Sequence, residues 1–183
     1  MLYLDNAATT PLLPEVRKVM INYMVDNFGN PSSIYKIGRM NKIAVEEARK
    51  SIAKTIGACP DDIFFTSGGT ESDNWVLESA AESATESDSA HIIVSAIEHP
   101  AVINKCIQLK KRGCDVDYIK TDKNGIINTD DLISKIRDDT KLISVMLVNN
   151  EIGTIQPVKN VCNIVAEYAI PVHTDAVAAY GHI

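Results

Sequence analysis

The sequence lacks a long apolar run, a basic cluster and a basic N-terminal region. No stretch approaches the roughly 18 consecutive apolar residues of a membrane-spanning helix, so we expect no membrane association. The net charge is −6, and the short basic run at 110–112 is typical of a helix C-terminus, so nucleic acid is not an expected partner. The first residues carry no basic region, so we expect no signal peptide.

No Cys-x-x-Cys pair occurs among the four cysteines, and no metal site is predicted. The four are Cys59, Cys106, Cys114 and Cys162, and each lies in or beside a predicted helix or strand. Two of them, Cys106 and Cys162, fall on helix faces and are predicted to be packing residues. Unpaired cysteines of this kind favour a reducing compartment, which makes the cytoplasm the predicted location.

What the chain does contain is the composition of an ordinary globular protein. Its 183 residues are 45% hydrophobic and 23% charged, which is enough for one hydrophobic core. Strand-like and helix-like segments alternate through most of the chain. This alternation predicts an α/β fold with a mainly parallel sheet and helices on both faces.

Periodicity and turn residues predict the individual elements. Pro14 is typical of the first turn of a helix, Gly57 of the residue after a helix, and Thr129 or Asp130 of an N-cap. The polar residues at 84–90 predict a loop. The predicted helices span 14 to about 28, 33–56, 71–83, 100–112, 129–137 and 158–168, and the predicted strands span 63–65, 91–97, 116–119, 142–148 and 171–174.

A glycine turn at 66–72, with the sequence Thr-Ser-Gly-Gly-Thr-Glu-Ser, joins a strand-like run to a helix-like run. Backbone amides at a helix N-terminus favour an anion, and glycines let the main chain approach it closely. Thr70 and Ser72 add hydroxyl groups. The pattern is typical of a phosphate-binding turn, and a tight turn without a ligand is the alternative.

Three further polar residues follow predicted strands, at the edge where α/β proteins bind ligands. Asp175 is suited to keep a pyridine nitrogen protonated, or it caps the next segment. His99 is suited to stack on a flat ring or to move protons, or it is structural. Asn150 reaches the same edge, and Asn149 beside it is suited to a turn. Together with the glycine turn, these residues predict a site for pyridoxal phosphate.

With these motifs the chain resembles the N-terminal part of a cysteine desulfurase of the NifS/IscS type, in the class V branch of the fold-type I pyridoxal-phosphate enzymes. The resemblance runs in family order from residue 2 to the end. The matching segments are Tyr-Leu-Asp-Asn-Ala-Ala-Thr-Thr-Pro at 3–11, Phe-Gly-Asn-Pro-Ser at 28–32, Thr-Ser-Gly-Gly-Thr-Glu-Ser-Asp-Asn at 66–74, Glu-His at 98–99, Val-Asn-Asn-Glu-Ile-Gly at 148–153 and His-Thr-Asp-Ala at 173–176.

The resemblance implies a role for each candidate residue. Gly69 and Thr70 would hold the cofactor phosphate, and His99 would stack on the ring and assist proton transfer. Asn150 would lie near the ring hydroxyl and the substrate carboxylate, and Asp175 would pair with the pyridinium nitrogen. The implied reaction converts L-cysteine into L-alanine and an enzyme persulfide for iron–sulfur cluster assembly. The implied partners are an iron–sulfur scaffold or other sulfur acceptor, and a second copy of the chain.

The chain departs from the family in three respects. Ala178 stands where the family has a glutamine that hydrogen-bonds the ring oxygen. The Schiff-base lysine of a Ser-Gly-His-Lys motif and the persulfide-carrying cysteine have no counterpart, since Lys141 and Lys159 are not at the matching place. We therefore expect a fragment that is inactive alone and that associates or is unstable.

The expected fragment comprises an N-terminal segment at 1–14 and an incomplete fold-type I large domain at 15–183. Two strands beside the strand at 63–65 are expected to be missing, which leaves unpaired edges. Two other interpretations stay open at the level of the sequence. One is a related class V enzyme, such as a selenocysteine lyase or an aminotransferase. The other is a non-catalytic interaction module or split half, which Ala178 favours because a decayed site fits lost catalysis.

Overall fold

The structure is a computed structural model, and it describes residues 2–7, 9–83 and 89–183. Most of the predicted loop at 84–90 lies outside the described residues. The chain forms two compact units, Met1–Phe65 and Thr66–Ile183. The division of the chain after residue 14 stays a prediction. None of the helices in the described ranges combines the length and apolar character that crossing a bilayer requires.

The first unit contains two helices whose ends follow from local backbone chemistry. α1 (Pro14–Val25) begins at the predicted proline and buries none of its side chains. α2 (Lys36–Ile56) ends at Gly57, whose φ of 68° is the left-handed conformation that glycine adopts readily. A short 3₁₀ helix, Pro60–Asp62, follows.

The predicted strand at 63–65 is wrong. Residues 63–65 do not adopt strand structure, and Phe64 and Phe65 are 67% and 51% exposed. The Arg49 guanidinium instead donates to the Ile63 carbonyl oxygen and lies 5.0 Å from the centre of the Phe65 ring. A strand needs a neighbour to satisfy its backbone groups, so a short apolar sequence does not make one by itself.

The second unit alternates helices and strands around a four-stranded sheet. Its elements are α3 (Gly69–Glu82), β1 (His91–Ser95), α4 (Pro100–Lys111), β2 (Asp115–Ile119), α5 (Thr129–Lys135), β3 (Thr140–Ser144), α6 (Val158–Val165) and β4 (Val172–His173), with a 3₁₀ turn at Ala166–Tyr168. The strand order is β2-β1-β3-β4, and every neighbouring pair is parallel. This arrangement confirms the predicted α/β fold.

Helices cover both faces of the sheet, as predicted. One buried cluster joins Ile92 to residues of α3 and α4, and another joins Ile93 to residues of α5 and α6, because side chains alternate along a strand. Cys106 is buried in the first cluster, which confirms its packing role. The packing role predicted for Cys162 is wrong, because this residue lies on the solvent side of α6 while its neighbour Val161 is buried.

The backbone ladder between β3 and β4 continues past the strand ends. Val145 donates its amide to the His173 carbonyl oxygen at 3.0 Å, and Leu147 donates to the Asp175 carbonyl oxygen at 2.8 Å. These bonds fix Asp175 at the carboxyl edge of the sheet, where ligands bind in α/β proteins.

One predicted cap is displaced by a residue or two. The N-cap of α5 is Asn128, whose Oδ1 accepts from the amides of Asp130 and Asp131 at 2.9 and 3.1 Å. Thr129 is already the first helical residue, so neither it nor Asp130 caps the helix as predicted. Asparagine is as good an N-cap as aspartate, because its side-chain oxygen accepts from the same first-turn amides.

Candidate functional site

The glycine turn opens α3 and leaves backbone donors free. Ser67 donates from its amide and its hydroxyl to Glu71 Oε2, at 2.6 Å each, which holds the pKa of the Glu71 carboxyl below its usual value. The amides of Gly69 and Thr70 donate no hydrogen bond to any described residue. First-turn amides carry the positive end of the helix dipole, so these two are suited to an anion.

Gly69 also determines how closely the turn approaches the segment after β4. A β-carbon built on Gly69 would lie 2.7 Å from Val177 Cγ2, which is closer than real β-carbons come to other atoms. Val177 lies two residues after Asp175. The glycine turn and the Asp175 segment are therefore in contact, although about a hundred residues separate them in the chain.

Asp175 is buried, with 8% of its surface exposed. Its Oδ1 accepts from the Val177 amide at 2.9 Å, which confirms the capping alternative for that oxygen. Its Oδ2 accepts no hydrogen bond from any described residue. The free oxygen of this largely buried residue is suited to accept from a ligand, and a protonated ring nitrogen is a donor of the required charge.

His99 is the N-cap of α4. Its Nδ1 accepts from the Ala101 amide at 3.1 Å, so the proton of the neutral ring lies on Nε2. The structural alternative for this histidine is therefore confirmed at Nδ1. The side chain is half-buried, and Nε2 has no partner among the described residues, so one ring nitrogen stays available to a ligand.

The two asparagines after β3 have different roles: one stabilises the turn, and the other has a free side chain. Asn149 is the turn residue: its Oδ1 accepts from the amides of Glu151 and Ile152 at 2.9 and 3.0 Å, and its Nδ2 donates to the Ile97 carbonyl oxygen at 2.9 Å. Asn150 is half-buried, and its side chain makes no hydrogen bond to a described residue. Because Asn149 supplies the turn, the amide of Asn150 is free to contact a ligand.

Sequence reasoning missed a polar cluster on the side of the sheet that α3 covers. His173 Nδ1 lies 2.9 Å from Ser144 Oγ, and His173 Nε2 lies 3.5 Å from Asp73 Oδ1. Asp73 is 4% exposed and lies one turn after Gly69 in α3. The sequence did contain a signal for His173. Residues two apart in extended backbone point to the same face, and His173 precedes Asp175 by two.

Glu98 is a second residue that sequence reasoning left without a role. It is 7% exposed, and its Oε1 accepts from Ser95 Oγ at 2.5 Å and from the Met146 amide at 2.7 Å. Burial raises the pKa of the Glu98 carboxyl, and the hydrogen bonds from Ser95 and Met146 oppose this rise without overcoming it. No sequence signal identifies such a residue, because glutamates in loops are usually exposed.

The amino-acid sequence matches a known family and several named proteins. The sequence pattern of the family described as aminotransferase class-V matches residues 2–183. The chain belongs to the aminotransferase class-V family. Two class V relatives, from Methanosarcina thermophila and Dictyoglomus turgidum, are each named cysteine desulfurase IscS and are 52% and 50% identical to it over 181 residues. The matches cover 99% of this chain but 45% and 46% of the relatives, so the chain spans about half the length of the curated relatives it matches.

Solved class V structures agree with the fold. A NifS-like protein superposes with a TM-score of 0.90 at 40% identity, covering 94% of this chain and 48% of that chain. A structure described as SspA in complex with cysteine superposes with a TM-score of 0.93 at 38% identity, covering 97% of this chain and 51% of that chain. These likenesses confirm the resemblance to cysteine desulfurases of the NifS/IscS type.

Ala178 and the two lysines named with it have defined positions in the structure. Ala178 is half-buried, and its methyl group offers no hydrogen bond. Lys141 lies in β3 and Lys159 in the first turn of α6, so neither belongs to the glycine turn or to the segment around Asp175. Within the described ranges, no group of three or more histidine, cysteine or acidic side chains is placed to hold a metal ion.

Proposed function

We propose that this class V chain supplies the cofactor-binding half of a pyridoxal-phosphate-dependent cysteine desulfurase. Relatives named cysteine desulfurase, at 52% and 50% identity, support the activity, and a related structure in complex with cysteine supports L-cysteine as the substrate. The products would be L-alanine and a persulfide for iron–sulfur cluster assembly. A sulfur acceptor such as an iron–sulfur scaffold, a homo-oligomeric assembly and a cytoplasmic location belong to the same proposal.

The described residues fit pyridoxal phosphate at both of its charged ends. At the phosphate end, Gly69 and Thr70 offer amides without acceptors, at a position where a side chain on Gly69 would leave no room. At the ring nitrogen end, the largely buried Asp175 offers a carboxylate oxygen that no described residue donates to. His99 and Asn150 each keep one polar group without a partner among the described residues, and we assign both groups to the same ligand.

The observation that carries the proposal is the unpartnered Oδ2 of Asp175, in a segment that touches Gly69 through Val177. A capping aspartate needs only one oxygen, which Val177 already occupies. The contact brings an anion-binding turn and a buried anion into one site. A ligand with a phosphate at one end and a protonated nitrogen at the other satisfies both.

The chain's own residues would then divide the work of catalysis. When bound, pyridoxal phosphate supplies an electron-withdrawing ring that stabilises negative charge on an amino-acid substrate. Asp175 holds a proton at the ring nitrogen, because a buried carboxylate favours the charged form of its partner. His99, oriented by the Ala101 amide, presents Nε2 as the atom that holds or moves a proton. Asn150 offers its side-chain amide to the ring hydroxyl and the substrate carboxylate.

Binding of pyridoxal phosphate to the purified chain tests the proposal. We expect the chain to bind the cofactor in a fluorescence titration, and inorganic phosphate to compete. Asp175→Asn should weaken binding about ten- to a hundredfold, because it removes one charged partner of a hydrogen bond. The matched control is Asp138→Asn, an exposed position in the same unit. A chain that binds no cofactor, or an Asp175→Asn variant that binds as well as the control, contradicts the proposal.

A further inference from the structure

Glu98 belongs to one of two loops that carry candidate site residues, and its side chain contacts the other loop. The first loop, at 96–99, connects β1 to α4 and contains His99. The second, at 146–153, follows β3 and contains Asn150. With 7% of its surface exposed, the Glu98 side chain is enclosed where the loops meet.

Oε1 of Glu98 takes the place of a backbone acceptor that the sheet lacks at this point. Amides of β3 and its extension alternate between neighbours, and those of Val145 and Leu147 donate to the β4 side. The Met146 amide between them faces β1, which has already ended at Ser95. Glu98 Oε1 accepts this amide at 2.7 Å and the Ser95 hydroxyl at 2.5 Å, so it satisfies a buried donor that would otherwise have no partner.

Asn149 makes a second connection between the same loops. Its Nδ2 donates to the Ile97 carbonyl oxygen at 2.9 Å, beside the Glu98 connection to Met146. The residues that hold the loops, Glu98 and Asn149, are each the immediate neighbour of a proposed cofactor contact. His99 and Asn150 therefore lie on two loops that these hydrogen bonds hold together.

The other oxygen of Glu98, Oε2, is buried and has no hydrogen-bond partner among the described residues. The charged and titratable groups that act on this carboxyl are His173 on β4 and Asp175 after it, and Cys106 of α4 also lies close enough to sense it. Burial is the largest influence on the pKa of Glu98 and raises it. The hydrogen bonds from Ser95 and Met146 and the charge of His173 oppose this rise without overcoming it, and Asp175 adds to it. An ionised Glu98 would leave a buried, charged Oε2 without a donor, which costs more than a neutral acid does.

We propose that Glu98 is a positioning residue that, as a neutral acid, locks the loop of His99 to the loop of Asn150. The proton on Oε2 leaves Oε1 free to accept both hydrogen bonds, and it keeps a second negative charge away from Asp175. The inference rests on the proposed function insofar as His99 and Asn150 contact the cofactor. The hydrogen bond from the Met146 amide to Glu98, which forms the lock, does not depend on the proposed function.

Carboxyl NMR of the chain labelled with ¹³C at glutamate side chains tests the neutral acid. The Glu98 resonance is the one that disappears in Glu98→Gln. We expect it to keep the chemical shift of a protonated acid at pH values above the ordinary glutamate pKa of about 4.3. A Glu98 resonance that titrates at or below the ordinary glutamate pKa of about 4.3 overturns the proposal.

Amide hydrogen exchange tests the lock. In Glu98→Ala the Met146 amide loses its acceptor, and we expect it to exchange about tenfold faster than in the wild type. Glu98→Gln keeps an accepting oxygen and should restore the wild-type rate, while Glu167→Ala should leave it unchanged. Should Glu98→Ala not fold, Glu98→Asp shortens the side chain by one methylene and is expected to show the same acceleration. Unchanged exchange at Met146 overturns the lock.

Cofactor titration of the same variants separates this inference from the proposed function. We expect Glu98→Ala to bind pyridoxal phosphate about tenfold more weakly than the wild type, and Glu98→Gln to bind it within about twofold. A chain that binds no cofactor in any variant contradicts the proposed function, while the two NMR results still decide the lock. Equal binding by the wild type and Glu98→Ala contradicts the positioning role.

Discussion

A β-carbon on Gly69 would lie 2.7 Å from Val177 Cγ2, so the turn that opens α3 rests directly on the segment after Asp175. Gly68, one residue earlier, has no atom within 4 Å of a β-carbon built on it. Two adjacent glycines therefore differ in what they require. Gly69 permits a close approach between two distant segments, whereas the space around Gly68 is open.

This difference predicts opposite results for two alanine substitutions. Gly69→Ala should displace Val177 and weaken binding of pyridoxal phosphate about tenfold, because the amides of the turn move with it. Gly68→Ala has room and should change binding by less than about twofold. Adding Val177→Ala to Gly69→Ala should recover most of the loss in a double-mutant cycle measured by cofactor titration. Additive effects of Gly69→Ala and Val177→Ala would contradict the contact.

Alanine substitutions of the two neighbouring asparagines should have different effects, one on stability and the other on cofactor binding. Asn149→Ala removes bonds to Glu151, Ile152 and Ile97 and should lower the free energy of unfolding by about 2–3 kcal/mol, measured by urea denaturation. Asn150→Ala should change stability by less than about 0.5 kcal/mol and should weaken cofactor binding. The reverse pattern, with Asn150→Ala destabilising and Asn149→Ala neutral, would exchange the roles assigned to them.

Because His91 is buried, we expect the protein to lose stability in mild acid. Its ring is fully buried in β1, with Nδ1 2.8 Å from Thr140 Oγ1, and burial lowers the pKa of His91. The more exposed Asp117 carboxylate, 3.3 Å from Nε2, opposes this shift without overcoming it. The unfolded chain therefore takes up a proton near the ordinary histidine pKa of about 6.5, before the folded chain does.

The free energy of unfolding should consequently fall as the pH drops from about 6.5 towards the lowered folded pKa. Urea denaturation at a series of pH values measures this slope. His91→Gln should flatten it, while His182→Gln, an exposed position, should keep it. An equal slope in the wild type and His91→Gln would show that this histidine is not the group responsible.

The sequence predicted those features that depend on local chemistry. Pro14 begins α1, and Gly57 ends α2 in the left-handed conformation, because both follow from the backbone of the residue itself. The parallel sheet followed from alternation along the chain. The strand at 63–65 failed because pairing depends on a neighbour, which no local pattern reports.

The candidate site could be predicted where its residues end strands, and not where they support one another. Asp175, His99 and Asn150 were visible as polar residues after apolar runs. The burial of Glu98 was not visible, because it arises where two loops from different strands meet. The 3.5 Å approach of Asp73 to His173 likewise depends on how α3 lies on the sheet.

The most direct test of the central claim is the protonation state of the cofactor nitrogen when pyridoxal phosphate binds beside Asp175. It is read from the ¹⁵N NMR shift of cofactor labelled at the ring nitrogen and bound to the wild type and to Asp175→Asn. We predict the shift of a protonated pyridinium in the wild type, at a pH where the Asp175→Asn complex shows the shift of a neutral pyridine. A neutral nitrogen in the wild-type complex, or the same shift in both proteins, would contradict the assignment of Asp175.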